Sequence, residues 1–129
     1  MKEDLFKHGA FSWFELMTDD PGAAKDFYTK VFGWGWEKYP MEGDEYYVIK
    51  VDGEGVGGLS GKPPMAVEAP NYWATYVTVE DVDKVAEIVQ ANGGTLIVPP
   101  MDVPNIGRFC VFQDPQGAVL SAITYTEKM

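Results

Sequence analysis

The sequence is poor in the side chains that most metal sites and nucleophilic triads use. It has one histidine, His8, and one cysteine, Cys110, in 129 residues. Transition-metal sites usually combine imidazole, thiolate and carboxylate ligands, and a Ser–His–acid triad needs a histidine. His8 precedes the first predicted strand and Cys110 lies within a later one, so we expect neither kind of site, and no cofactor. A lone cysteine forms no internal disulfide, which favours the reducing cytoplasm.

Positive charge and long apolar segments are also scarce. Ten Lys and Arg stand against 20 Asp and Glu, and the formal net charge is −10. Nucleic acids and anionic membranes attract basic surfaces, so we exclude both as partners. No apolar run approaches the roughly 18 residues of a membrane-spanning helix. With 46% hydrophobic and 14% aromatic residues, the composition predicts a globular protein and indicates an aromatic-lined cavity.

The chain does contain an internal repeat. The segment 13–21 resembles 74–82, which lies 61 positions later, and 47–55 resembles 109–117 at an offset of 62. In each copy an alternating, strand-like run ends in an acidic pair and is followed by an amphipathic helix pattern. The sequence therefore consists of two copies of one strand–helix–strands module.

Periodicity, caps and turn residues place the elements of each copy. The predicted strands of the first copy are 10–17, 34–39, 45–52 and 56–60, with a helix from Pro21 to about Gly33. Those of the second are 72–79, 95–98, 107–113 and 118–124, with a helix over 81–92. Each copy is thus βαβββ. We predict a single domain over 1–129, composed of module one (about 8–62), a Pro-rich linker (63–70) and module two (about 71–126).

Glu15 is the carboxylate that stands out. It lies in the middle of the first strand, on the same face as Trp13, where a charge is costly to bury unless it is paired. A buried carboxylate can serve as a general base, and a salt bridge or bonds to backbone amides are the structural alternatives. Glu15 is therefore the candidate catalytic residue. Arg108 is the cationic candidate, at the start of strand 107–113.

Five motifs carry a resemblance to a known family: Trp13-Phe14-Glu15-Leu16, the helix start from Asp20 to Tyr28, Phe32-Gly33-Trp34, Asn105-Ile106-Gly107-Arg108-Phe109 and Asp114-Pro115-Gln116-Gly117. They resemble the vicinal-oxygen-chelate superfamily, which includes glyoxalase I, bleomycin-resistance proteins and extradiol dioxygenases. Within it they resemble a bacterial branch often labelled "related to lactoylglutathione lyase". The resemblance implies an α+β fold, in which two βαβββ modules in tandem form curved mixed sheets around a central cup. It also implies a homodimer.

The resemblance further implies where a metal would be held. Metal-using members place four ligands on the first and last strands of the two modules. The matching positions here are Trp13, Ala74, Ser121 and a residue within one position of Leu59, and none of these side chains is a metal ligand. We therefore expect a metal-free cup. Its predicted lining is Trp13, Glu15, Leu59, Ala74, Tyr76, Arg108, Val119 and Ser121.

Four functional hypotheses follow from these residues. The first is a metal-free protein that binds a small organic molecule, to sequester or sense it. The second is a metal-independent lyase, isomerase or hydrolase with Glu15 as base and Tyr76 or Arg108 stabilising negative charge. The third is a lactoylglutathione-lyase-related enzyme whose metal ligands come from acidic loops or from His8 of a second subunit. The fourth is a structural or partner-binding protein whose cup is filled by its own side chains, with the Trp13 indole as the plug.

Overall fold

The computed structural model describes residues 3–39, 46–62 and 70–126. The chain divides into two compact units. The first unit is Trp13–Ala74, and the second is Met1–Ser12 together with Thr75–Met129. The predicted linker lies outside the described residues except for Pro70. In the described part of the chain no helix is long and apolar enough to cross a membrane.

The first unit contains one helix and a four-stranded sheet. Its elements are β1 (Phe11–Thr18, from Trp13 onward), α1 (Pro21–Phe32), β2 (Gly35–Lys38), β3 (Tyr46–Val51) and β4 (Glu54–Gly61). The strands are ordered β2-β3-β4-β1. β1 runs parallel to β4, and the other neighbours are antiparallel.

Local sequence accounts for the bounds of α1. The Asp20 side chain accepts a hydrogen bond from the Ala23 backbone N–H at 3.0 Å, and Pro21 occupies the first helical position. Both are typical of a helix N-terminus. The helix ends at Gly33, whose φ of 72° is left-handed and therefore favours glycine. The predicted helix from Pro21 to about Gly33 is confirmed.

The second unit repeats this topology. Its elements are β5 (Tyr72–Thr78, from Thr75 onward), α2 (Val82–Ala91), β6 (Thr95–Val103), β7 (Gly107–Gln113) and β8 (Val119–Tyr125). The strands are ordered β5-β8-β7-β6, with β5 parallel to β8. A short 3-10 turn, Glu3–Phe6, precedes β1. The predicted α+β class with two βαβββ copies is confirmed.

The core of the second unit lies between α2 and its sheet. Its buried members are Val79, Val82, Ala86, Cys110 and Ala122. Cys110 is fully buried in this core, and burial raises the pKa of its thiol. Because the thiolate is the reactive form, we assign Cys110 to packing.

One strand is longer than predicted. The sequence predicts a strand over 95–98, whereas β6 continues to Val103 through Pro99 and Pro100. β6 is the last strand in the order and pairs with β7 through two register irregularities. An edge strand with bulges tolerates proline because some of its N–H groups have no ladder partner. The two prolines therefore interrupt the regularity of the ladder without ending the strand.

The packing of α2 is tested by Val82→Ala. Val82 is 1% exposed, and removing two buried methyl groups should lower the free energy of unfolding by about 1.5–3 kcal/mol. Ile88→Ala on the same helix is the control. Ile88 is 59% exposed, and its truncation should change stability by less than about 0.5 kcal/mol. Urea denaturation of both variants measures the difference, and equal losses would contradict this packing.

Candidate functional site

Strand register places Trp13, Glu15 and Met17 on one face of the first unit. Glu15 lies opposite Gly58 of β4, and Gly58 lies opposite Val48 of β3. Paired residues share a face, and the alternate residues point to the other side. We call this surface the Glu15 face; its residues are Trp13, Glu15, Met17, Tyr46, Val48, Gly58, Ser60 and Tyr72.

A hydrogen-bonded chain joins three residues of the Glu15 face. The Tyr46 hydroxyl donates to Glu15 Oε2 at 2.5 Å, and Trp13 Nε1 donates to the Tyr46 hydroxyl oxygen at 3.1 Å. Glu15 and Tyr46 are each 8% exposed. The O–H···O distance is in the range of bonds to an ionised carboxylate. The buried Glu15 is therefore hydrogen-bonded by a tyrosine, and this chain of bonds contains no lysine or arginine.

Gly58 provides the space for this arrangement. A Cβ atom at Gly58 would overlap the Tyr46 hydroxyl and would lie 3.2 Å from Glu15 Oε2. Only glycine lets the backbone of β4 approach the Tyr46 hydroxyl so closely. The absence of a side chain at 58 is thus part of the site.

Tyr72 is a third aromatic residue close to Glu15. Its pKa is raised from the ordinary value of 10.0, first by burial and second by the negative charge of Glu15. The folded state therefore favours the neutral phenol. The contribution of Tyr72 to the stability of the folded state is fully present below pH 10 and is lost as the pH rises through the raised pKa.

Leu59 does not lie on the Glu15 face. Its side chain is fully buried and pairs with Leu16, which lines a cleft beside α1. Tyr76 lies opposite Ser121 just as Glu15 lies opposite Gly58, so the residue equivalent to Ser121 is Gly58. Gly58 and Ser121 are 63 positions apart (121 − 58), whereas Glu15 and Tyr76 are 61 positions apart (76 − 15). Because of this difference, the residue that matches Ser121 is one position away from Leu59. Neighbouring residues of a strand point to opposite faces, so Leu59 lies on the other face.

The predicted residues of the second unit fall into two groups. Tyr76 is buried, packs edge-on against Phe109 with 6.3 Å between ring centroids, and lies opposite Ser121. Val119 shares the face of Ser121, two residues along β8, and is 55% exposed. Ala74, at the end of the first unit, is half-buried.

Arg108 belongs to the other group. Its Nε and Nη2 donate to the two carboxylate oxygens of Asp83 at 2.9 and 3.0 Å, and Nη1 donates to Asp102 at 3.2 Å. This bonding lowers the pKa of Asp83. Asp83 is on α2, so Arg108 points to the helix side of the sheet, with Cys110, and away from Ser121. Its guanidinium forms a surface ion-pair cluster, and we leave it out of the site.

The four predicted ligand positions do not fit a transition metal. With Gly58 in place of Leu59, they hold an indole, a hydrogen atom, a methyl group and a hydroxyl, at Trp13, Gly58, Ala74 and Ser121. Zinc, iron and nickel sites draw on imidazole, thiolate and carboxylate. Among the described residues no three His, Cys, Asp or Glu side chains cluster as a metal site would require. His8 accepts a hydrogen bond from the Glu80 backbone N–H at 3.0 Å through Nδ1.

Two residues of the site were not foreseen from the sequence, Tyr46 and Tyr72. Alternation along β3 and β5 assigns each a face, but only cross-strand register brings them to Glu15. A cleft of about 320 Å³ beside α1 was also not foreseen. It is lined by Leu16, Thr18, Asp19, Asp20, Ala23, Ala24, Phe27, Tyr28 and Asn71.

The proximity of Glu15 and Tyr72 predicts a shift in tyrosine titration. Glu15→Gln removes the negative charge that opposes the Tyr72 phenolate, so the pKa of Tyr72 should fall toward 10.0. Ultraviolet phenolate absorbance, taken as the difference from a Tyr72→Phe background, measures it. Glu87→Gln on the exposed face of α2 is the control and should change nothing. An unchanged Tyr72 titration in Glu15→Gln would show that Glu15 carries no charge near it.

Comparison with known proteins identifies the family. Residues 10–121 match the family described as the Glyoxalase/Bleomycin resistance protein/Dioxygenase superfamily. "Putative glyoxylase CFP32" of Mycobacterium tuberculosis is 38% identical over 122 residues, which cover 92% of this chain and 47% of that protein. The anthracycline biosynthesis protein DnrV of Streptomyces peucetius is 33% identical over 129 residues, covering 90% and 47% respectively. The chain spans about half the length of these curated relatives.

Solved structures agree on the fold. Methylmalonyl-CoA epimerase from Mycobacterium tuberculosis superposes with a TM-score of 0.63 at 13% identity, over 98% of this chain and 94% of that one. A Streptomyces coelicolor methylmalonyl-CoA epimerase variant, in complex with 2-nitronate-propionyl-CoA, gives a TM-score of 0.63 at 16% identity, over 94% and 100%. Identities this low establish the fold alone. The chain belongs to the Glyoxalase/Bleomycin resistance protein/Dioxygenase superfamily.

Proposed function

We propose that this protein is a metal-free member of its superfamily that binds a small organic molecule on the Glu15 face. The observation that carries the proposal is the Trp13–Tyr46–Glu15 hydrogen-bonded chain. It includes Trp13, one of the positions predicted for metal ligands, and lies next to Gly58, one residue from the predicted Leu59. The face combines aromatic rings with a polar acceptor, which is a common composition for small-molecule sites.

The chemistry of the Glu15 face favours one class of ligand. Trp13 is half-buried, and the rings of Trp13 and Tyr72 offer surfaces for a planar group or a cation. Glu15 adds negative charge in a chain of net charge −10. We therefore propose a planar ligand that carries a positive charge or a hydrogen-bond donor. The relative named for anthracycline biosynthesis makes planar aromatic compounds the first class to test.

Acyl-CoA esters and their analogues, which are bound in two of the structural neighbours, fit this face less well. Their phosphates carry several negative charges, and like charges in a partly desolvated site repel. We propose that this chain does not share that ligand class.

A second candidate is a metal-independent lyase or isomerase with Glu15 as general base. It is favoured by the burial of Glu15 and by its 2.5 Å bond to Tyr46, since a base must be held in one geometry. Arg108 is committed to Asp83 and Asp102 and therefore does not serve to stabilise negative charge in this reaction. With an identified substrate, Glu15→Gln should abolish turnover while binding persists. A lactoylglutathione-lyase-related reaction with a metal would need ligands outside the four positions above.

Ligand binding is tested by thermal shift with a matched pair of probes. 9-Aminoacridine is planar and cationic at neutral pH, and acridine is its neutral counterpart. A ligand that binds only the native state raises the apparent Tm, by the equivalent of about 2.7 kcal/mol at a hundredfold excess over Kd. We expect the larger shift with 9-aminoacridine, its reduction in Glu15→Gln, and its retention in Glu87→Gln. If neither probe nor a wider panel of planar compounds moves Tm, Trp13 plugs the face and the proposal fails.

We propose, further, that the protein is a cytoplasmic homodimer that associates through α1. No residue of α1 is buried, and Phe27, Val31 and Phe32 are 58%, 51% and 61% exposed. Exposed apolar clusters of this kind are typical of protein interfaces. The curated relatives are about twice as long as this chain, and a second copy would supply a comparable mass of protein.

The dimer is tested by Val31→Lys. A buried, unpaired lysine at an interface is strongly unfavourable, so light scattering during size-exclusion chromatography should find a dimer for the parent and a monomer for the variant. The control is Ile88→Lys, at an aliphatic residue of α2 that is 59% exposed against 51% for Val31, and it should remain dimeric. A monomeric parent protein would contradict the proposal.

A further inference from the structure

Tyr46 holds an unusual position among the residues of the Glu15 face. It contacts Trp13 through its oxygen and Glu15 through its proton, and its ring packs edge-on against Tyr39 with 6.0 Å between centroids. The side chain is 8% exposed. A buried hydroxyl that both accepts and donates a hydrogen bond, on a ring that is packed, is restrained in its orientation.

The direction of the hydrogen bonds follows from the chemistry of the donors. An indole nitrogen only donates, so the Tyr46 oxygen must accept from Trp13. Its single proton is then directed at Glu15 Oε2, at 2.5 Å. Hydrogen bonds in series polarise one another, so the bond from Trp13 strengthens the donation from Tyr46 to the carboxylate. The chain is therefore arranged to stabilise negative charge on Glu15.

The backbone of β4 leaves room for the Tyr46 and Glu15 side chains. A side chain at Gly58 would overlap the Tyr46 hydroxyl and crowd Glu15 Oε2. Glycine in a strand interior has a cost, because it lacks packing and favours the unfolded chain. Here the cost is offset by the room it gives to the Tyr46–Glu15 bond.

We propose that Tyr46 is the positioning residue that keeps Glu15 ionised and fixed in its buried site, in the space left open by Gly58. The inference rests on the proposed function, since a fixed carboxylate matters only if the Glu15 face binds or transforms a ligand. Two titratable groups of the first unit interact with Glu15: Tyr46 from β3 and Tyr72 from β5. The neighbouring strand β4 contributes Gly58 and Ser60, neither of which titrates.

The test is a pH titration of the Glu15 carboxyl carbon by NMR, without ligand. The resonance is assigned by its loss in Glu15→Gln. Tyr46→Phe removes one hydrogen bond to the charged form, which is worth about 1.5–3 kcal/mol, so the Glu15 titration should move upward by about one pH unit or more. Gly58→Ala displaces the Tyr46 hydroxyl and should move it in the same direction.

The matched control is Tyr47→Phe. Tyr47 is the next residue of β3, on the opposite face, with Lys25 over its ring at 4.4 Å, and loss of its hydroxyl should leave the Glu15 titration unchanged. An unchanged titration in Tyr46→Phe overturns the inference, as does an equal shift in Tyr47→Phe, which would mark a general structural effect.

The parent protein supplies a measurement that does not depend on a variant that folds. The indole N–H resonance of Trp13, assigned by its loss in Trp13→Phe, should titrate with the midpoint of Glu15, because Tyr46 joins them. Independent midpoints overturn the inference. None of these readouts uses a ligand, so a failure of ligand binding in the thermal-shift test would refute the proposed function and leave the role of Tyr46 standing.

Discussion

The site depends on one constraint: a buried carboxylate must be hydrogen-bonded. Glu15 lies in the middle of β1 at 8% exposure, where an unpaired charge would cost several kcal/mol. The Tyr46 hydroxyl meets that requirement at 2.5 Å and is itself held by Trp13. Three further features then become understandable: the glycine at 58, the raised pKa of Tyr72 and the aromatic lining. Each of these features either accommodates the negative charge of Glu15 in partly apolar surroundings or responds to that charge.

The duplicated module explains how one fold carries two chemically different pairs of residues at equivalent positions. Glu15 and Tyr76 occupy equivalent positions of β1 and β5, and their partners Gly58 and Ser121 occupy equivalent positions of β4 and β8. In the first unit this pair of positions carries a carboxylate over a glycine. In the second it carries a phenol beside a serine hydroxyl. The topology is thus shared, whereas the functional groups are a property of each copy.

Much of this could be predicted from the sequence, because the signals are local. Alternation, the Asp20 cap and Gly33 determine the elements, and they place Trp13 and Glu15 on one face. The sequence does not determine which residues of other elements each side chain contacts. Counting along the repeat selected Leu59, one residue from Gly58, because the interval between copies changes from 61 to 63 positions. Arg108 was assigned by charge, without knowledge that Asp83 and Asp102 surround it. Tyr46 could not be found without the register of β3 and β4.

The central claim is that a hydrogen-bonded organic network, and no metal, organises this site. Elemental analysis of protein purified without chelator, from medium that contains nickel, zinc, iron and manganese, tests it most directly. We predict only traces of metal, far below one equivalent, and the same traces in Glu15→Gln. One equivalent of a transition metal per chain, lost in Glu15→Gln, would contradict the account, since Glu15 would then be a ligand and its bond to Tyr46 a secondary feature.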